Sequence, residues 1–234
     1  MLSSVTSVPP PTLCASGWSR RLPAPSGERP ARSRQPEPFT PLDGEPSPGS
    51  RARQSLVNLL HVWLRRYAER TPGTECHVHA RVRPNCQSLL CADVLLRVWS
   101  GCHCRCRLAG DGAVAGPPEL LVRIIATEPV DELEACRQAG VGEFLVWNLS
   151  EGRVQWHVLD QGRYRPRASD AAGVIRSRSV NGLWLDVNAL LARDVDGLLR
   201  TLNAGLNSEE HRAYCAWLAM AEEWGRAVWG VVAR

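Results

Sequence analysis

The chain has 234 residues, 44% of them hydrophobic, with 28 basic against 24 acidic side chains and a formal charge of +4. That content suffices to bury one core, and the charge is too small to argue by itself for a nucleic-acid partner. Every one of those basic residues is arginine, so chemistry that depends on a lysine ammonium is excluded. Residues 1–50 are crowded with proline, serine, glycine and arginine, Pro9, Pro10 and Pro11 among them, and show no periodicity. They read as a disordered arm, with a proline-rich docking segment as the alternative. No apolar segment follows a basic start, so the nine cysteines are expected as free thiols in a reducing cytoplasm. No apolar stretch approaches the length that would cross a bilayer.

From Gln54 to Arg70, the residues Leu56, Leu59, Leu60, Trp63, Leu64 and Tyr67 recur at helical spacing. Ser55 is the expected cap and Thr71-Pro72-Gly73 the stop. Cys76, Val78, Ala80 and Val82 then alternate with His77, His79, Arg81 and Arg83, which predicts a half-buried strand with both histidines on its polar face. Such a pair can hold a metal or stand solvated. Asp93 to Val98 is the next strand, opening with an acid, and Cys102-His103-Cys104-Arg105-Cys106 follows. Three thiols and an imidazole so close together suit either zinc or a reduced loop, although paired zinc cysteines usually stand two or more residues apart.

Leu120 to Ala126 is apolar except for Arg123, the pattern of a strand covered on both faces. Leu133, Cys136 and Ala139 line one face of a helix from Asp131, Gly140 and Gly142 end it, and Glu143 to Trp147 is apolar again. This strand, helix, strand unit predicts a parallel crossover at the centre of a sheet. Turn residues on either side of Arg153 to Leu159 predict an antiparallel meander from Phe144 through Tyr164, with Val174 to Ser179 extending it. Gly182 to Val187 is a short strand, Asn188 caps a brief helix, and Asp194 to Ala204 is a second helix. Glu209 to Val232 is helical, and its Trp217, Trp224 and Trp229 can dock on the sheet or face a second copy of the chain. The pattern as a whole is an α/β domain over residues 51–205, with a mixed central sheet flanked by helices and a helical tail over 206–234.

Six stretches in order, RRYAERTPG (Arg65 to Gly73), ADVLLRV (Ala92 to Val98), PELLVRI (Pro118 to Ile124), DELEACRQAGVGEFLVW (Asp131 to Trp147), GRVQWHVLDQGRYRP (Gly152 to Pro166) and VNGLWLDVNALL (Val180 to Leu191), resemble the Uma-type family of restriction endonucleases. That family is part of the PD-(D/E)XK nuclease superfamily. The resemblance covers about Arg65 to Gly205 and implies a restriction-endonuclease-like fold, DNA as partner and Mg²⁺-dependent phosphodiester hydrolysis. It implies Asp93 as the first metal-binding acid. The second acid falls on Arg123, a charge reversal, and the catalytic lysine falls on Glu132. Glu119 shares a strand face with Arg123, so Asp93, Glu119 and Glu132 form the candidate carboxylate set, with Arg123 as a cation among them. An ion pair between Arg123 and Glu132 is the quieter expectation. Leu42-Asp43-Gly44-Glu45 is the remnant of a family pattern near the amino terminus. These departures predict impaired or absent cleavage. A non-catalytic DNA-binding or dimerising module, or a zinc-stabilised domain on Cys102, Cys104 and Cys106 with His77 or His79, are the alternatives.

Overall fold

The computed structural model describes residues 48–84, 89–99, 101, 104–126 and 130–232, without the side chains of 48, 49, 130 and 222–232. Residues 1–47 of the arm, Leu42 to Glu45 among them, lie outside the described residues, as do Cys102 and His103, whereas 48–50, expected as disordered, are helical. The first helix, α1, spans Pro48–Arg70. It begins earlier than its periodicity suggested, because proline suits a first helical turn, whose amide has no partner to lose. Ser55 is therefore not a cap but an interior residue whose hydroxyl donates back to the Arg51 carbonyl at 3.1 Å.

Strands β1 (Thr74–Arg83), β2 (Leu90–Val98), β3 (Arg107–Leu108), β4 (Val114–Ala115), β5 (Leu120–Ile125), β6 (Glu143–Asn148), β7 (Arg153–Asp160) and β8 (Arg163–Pro166) form one mixed sheet. Its order is β3-β4-β1-β2-β5-β6-β7-β8. β5 and β6 are parallel, joined through α2 (Val130–Ala139), while β6, β7 and β8 form the antiparallel meander. The apolar run from Leu120 is thus central, as its two-sided burial required.

Val174 to Ser179 does not extend the meander. β9 (Val174–Arg176) instead pairs with β10 (Trp184–Asp186) in a separate two-stranded sheet. Trp63 Nε1 and Tyr67 Oη on α1 donate to the carbonyls of Trp184 and Asn181, at 3.0 and 2.8 Å, and hold this small sheet. Asp186, not Asn188, caps α3 (Val187–Ala192), its carboxylate accepting from the Ala189 amide. Asp194 caps α4 (Val195–Leu206) through Gly197 in the same way. α5 spans Glu209–Val232.

One core cluster joins α1, α4 and α5 to one face of the sheet through Leu60, Val94, Val122, Leu202 and Leu218. A second joins α2 to the other face through Leu95, Leu121, Cys136 and Val146. Trp217 belongs to neither. It is 44% exposed and stacks on Tyr214, so of the two placements expected for the tail tryptophans, docking on the sheet does not hold for Trp217. No described helix is long and apolar enough to cross a membrane.

The alternation predicted for β1 also fails, and at one residue. His79 has φ +47° in mid-strand, in the left-handed region that side chains with a Cβ avoid. Cys76 packs with the α1-side cluster, whereas Ala80 and Val82 pack with the α2 side. In β2, Ala92 lies on the α2 side and Val94, Leu96 and Val98 on the α1 side. Both strands therefore change face where His79 and Asp93 stand between the paired residues Val78–Val94 and Ala80–Ala92. Val78 is left 40% exposed.

Candidate active site

Asp93 lies inside β2 rather than at its start and is 2% exposed. Its neighbours on β5 follow from the antiparallel register that sets Val94 against Val122, which brings Asp93 beside Arg123 and Ile124. The Ile124 amide donates to Asp93 Oδ2 at 2.7 Å. Arg53, on the first turns of α1, straddles the carboxylate. Its Nη2 lies 3.0 Å from Oδ2 and 2.8 Å from Oδ1, and donates also to the Ile124 carbonyl at 2.9 Å. Arg123 Nη1 stands 3.6 Å from Oδ2 on the other side.

The expected ion pair between Arg123 and Glu132 is present and bidentate. Nε donates to Oε2 at 3.0 Å and Nη2 to Oε1 at 2.8 Å, the planar fork geometry that makes arginine–carboxylate pairs strong. These bonds, with Asp93 adding its field, hold the Arg123 proton more firmly than usual against the opposing effect of burial. Arg53, Asp93, Arg123 and Glu132 thus form one chain of alternating charge that sums to zero.

Glu119 does not join them. Equal parity gives it the Arg123 face, but four residues at about 3.3 Å each separate the two along the strand. Glu119 accepts instead from the Val98 amide at 2.6 Å and is 6% exposed. Burial raises its carboxyl above the ordinary value, against the downward pull of that amide, Arg105 and Arg97.

A divalent cation does not fit this donor set. Both Asp93 oxygens face guanidinium or amide hydrogens, and Glu132 is turned onto Arg123. At about 4 Å and an effective dielectric near 20, a divalent ion would meet about 8 kcal/mol of repulsion from a guanidinium, cancelling the attraction of one carboxylate at the same distance.

The histidine pair is split as well. His77 Nε2 lies 3.1 Å from Glu75 and 3.3 Å from Arg97 Nε, whereas His79 reaches Gln54 on α1 at 3.1 Å. Two consequences follow from the left-handed turn at His79: the two rings do not share a face, and their partners differ. Among the described residues no three metal-ligating side chains come together. Cys104 and Cys106 are free thiols, and burial pushes Cys106 up to about 12.

Two functional-looking groups escaped the sequence. Arg53 sits one turn before Leu56 on the buried stripe of α1, and a cation on an apolar stripe is the signal that could have found it. Glu143 is fully buried, yet its role is architectural. It accepts from Trp156 Nε1, Ser177 Oγ and the amides of Arg178 and Ser179, which ties the main sheet to the loop after β9.

Residues 37–188 match the model of the Uma2 family, described as "Putative restriction endonuclease". The chain belongs to this family. The Uma2 match begins upstream of Arg65, takes in Leu42 to Glu45, and ends near the first residues of α3. A crystal structure of "a putative nuclease belonging to DUF820" from Anabaena variabilis is similar at 11% identity, covering 59% of this chain and 79% of that one, with a TM-score of 0.45. No curated protein matches. The matched span contains Asp93, Arg123 and Glu132, so the buried acid on β2 and the Arg123–Glu132 pair both lie within the Uma2 region.

Proposed function

We propose that this Uma2 protein binds DNA without cleaving it. The observation that carries the reading is the bidentate Arg123–Glu132 pair beside Asp93, because it supports a protein cation, and not a metal, as the partner of these two carboxylates. The missing lysine supports it further, since no amine in a side chain can assist the attacking water. DNA as partner is supported by membership of a restriction-endonuclease family and by basic residues that are arginine throughout, the residue best suited to phosphate.

Purified protein incubated with supercoiled plasmid and Mg²⁺ or Mn²⁺ is expected to leave it intact. A low-salt gel shift is expected to show retention that weakens as salt rises, through the counterions that phosphate contacts release. Cleavage that disappears in Asp93→Asn would overturn the catalytic half of this reading, and absence of any low-salt shift would overturn the binding half.

A further inference from the structure

Beside the charge chain lies a groove of about 400 Å³ lined by Ala52, Arg53, Leu56, Ile125, Leu149 and Arg193, among others. Its volume is within the roughly 300–1,000 Å³ of small-ligand sites. Arg193 occupies the carboxy-terminal cap of α3 with φ +57°, a left-handed position that glycine takes without penalty and arginine does not. Its backbone amide bonds to the carbonyls of Ala189 and Leu190, but among the described residues its guanidinium has no partner. A strained backbone thus presents a cation, unpaired among the described residues, to an apolar groove, and strain of this kind gathers at functional positions.

The floor is aliphatic, and the carbonyls that could read a polar edge are already occupied. Ile124 O accepts from Arg53, Ile125 O from the Leu149 amide, and Ala126 O from Ser150 Oγ. A paired base shows a protein only its edge, which carries donors and acceptors, while its flat face is hidden in the stack. An unpaired base exposes that face, whose apolar surface is removed from water when it lies against aliphatic side chains.

We infer that this groove seats one unpaired nucleotide, its phosphate on Arg193 and the free edge of Arg53 and its base against Ile125 and Leu149, so that the protein prefers single-stranded DNA or a frayed end to duplex. This rests on the DNA-binding reading above and names the form of DNA that the site takes.

The test is fluorescence anisotropy of the full chain with a labelled single-stranded oligonucleotide, the same sequence as duplex, and an abasic strand of equal length, all at one salt concentration. The single strand is expected to bind several-fold more tightly than the abasic strand, which lacks the apolar face that the groove would cover, and more tightly than the duplex. Arg193→Gly should keep or raise the melting temperature, since glycine relieves the left-handed strain, and should weaken single-strand binding several-fold. Leu149→Ser, at an exposed position, should lower single-strand affinity towards that of the abasic strand. Duplex bound as tightly as single strand, or single-strand affinity unchanged in both variants, would overturn the nucleotide seat while leaving the DNA-binding reading standing. No binding of any of the three probes would overturn both.

Discussion

At the scale of single residues, the centre of the molecule is a buried carboxylate between two guanidinium groups. At 2% exposure Asp93 has both oxygens engaged, by the Ile124 amide and Arg53, with Arg123 close beside them. Removing the acid would leave Arg53 and Arg123 facing each other across a cavity. Asp93→Ala is therefore expected to cost about 3–5 kcal/mol, the usual range for one partner of a buried ion pair. Asp93→Asn keeps an oxygen for the Ile124 amide and is expected to cost about 1.5–3 kcal/mol, the range for hydrogen bonds to charged groups. Urea unfolding of the two variants against wild type measures both values. An alanine variant within about 1 kcal/mol of wild type would mean that the charge chain contributes little to the fold. The sequence exposed three members of this chain through family resemblance and hid the fourth. Arg53 stands near Arg51 in a run of polar residues, and only its helical phase relative to Leu56 separates it from a solvated side chain. Glu119 misled for a related reason, since parity assigns a residue to a face and says nothing of its distance along the strand.

At the scale of elements, what the sequence revealed depended on whether local pattern or distant contact decided the outcome. The β5–α2–β6 unit was legible because a strand buried on both faces must be apolar almost throughout. The face change in β1 was not, because one left-handed residue, His79, reverses the alternation without altering composition. The β9–β10 pair was likewise hidden, since its partner choice is made by α1 through Trp63 and Tyr67. α5 docks through a comparable distant contact. His211, 5% exposed, approaches Thr71 Oγ1 at 2.9 Å through Nε2 and the Leu206 carbonyl at 2.8 Å through Nδ1. Burial lowers its pKa below 6.5, and nearby Arg70 acts in the same direction against the Leu206 carbonyl. Below about pH 6.5 the unfolded chain takes up a proton at this position that the folded chain refuses, so stability falls as pH drops. His157, lowered by burial alone, contributes with the same sign. Glu119 acts oppositely, because its raised folded value makes the folded state the better proton acceptor at lower pH. His211→Gln is thus expected to lower stability at neutral pH and to flatten its decline between about pH 7.5 and 5.5. Urea midpoints at the two pH values, for wild type and variant, check the sign. An equal decline in both would mean that the imidazole is not the group titrating.

At the scale of the whole molecule, the charge chain links elements that the sheet alone would leave on opposite faces. Four charged groups from α1, β2, β5 and α2 meet at one end of the central strands and neutralise one another, so elements from both faces of the sheet are tied together without a bound ion. The double variant Arg123→Glu with Glu132→Arg keeps the net charge and reverses the order. It puts two carboxylates side by side, with the nearest compensating cations Arg53 and the new arginine on α2. In EDTA this variant is expected to be less stable than wild type by about 2–4 kcal/mol, since a like-charged neighbour now faces a buried acid. A divalent ion that binds only the folded form stabilises it by RT ln(1 + [L]/Kd), about 2.7 kcal/mol at a hundredfold excess over Kd. Millimolar Mn²⁺ should therefore raise the urea midpoint of the double variant and leave that of the wild type unchanged. A wild type that responds equally would show that a cation already finds ligands in this site. A double variant that ignores Mn²⁺ would show that Arg53 is sufficient to exclude the metal, and adding Arg53→Gln to it should then restore the response.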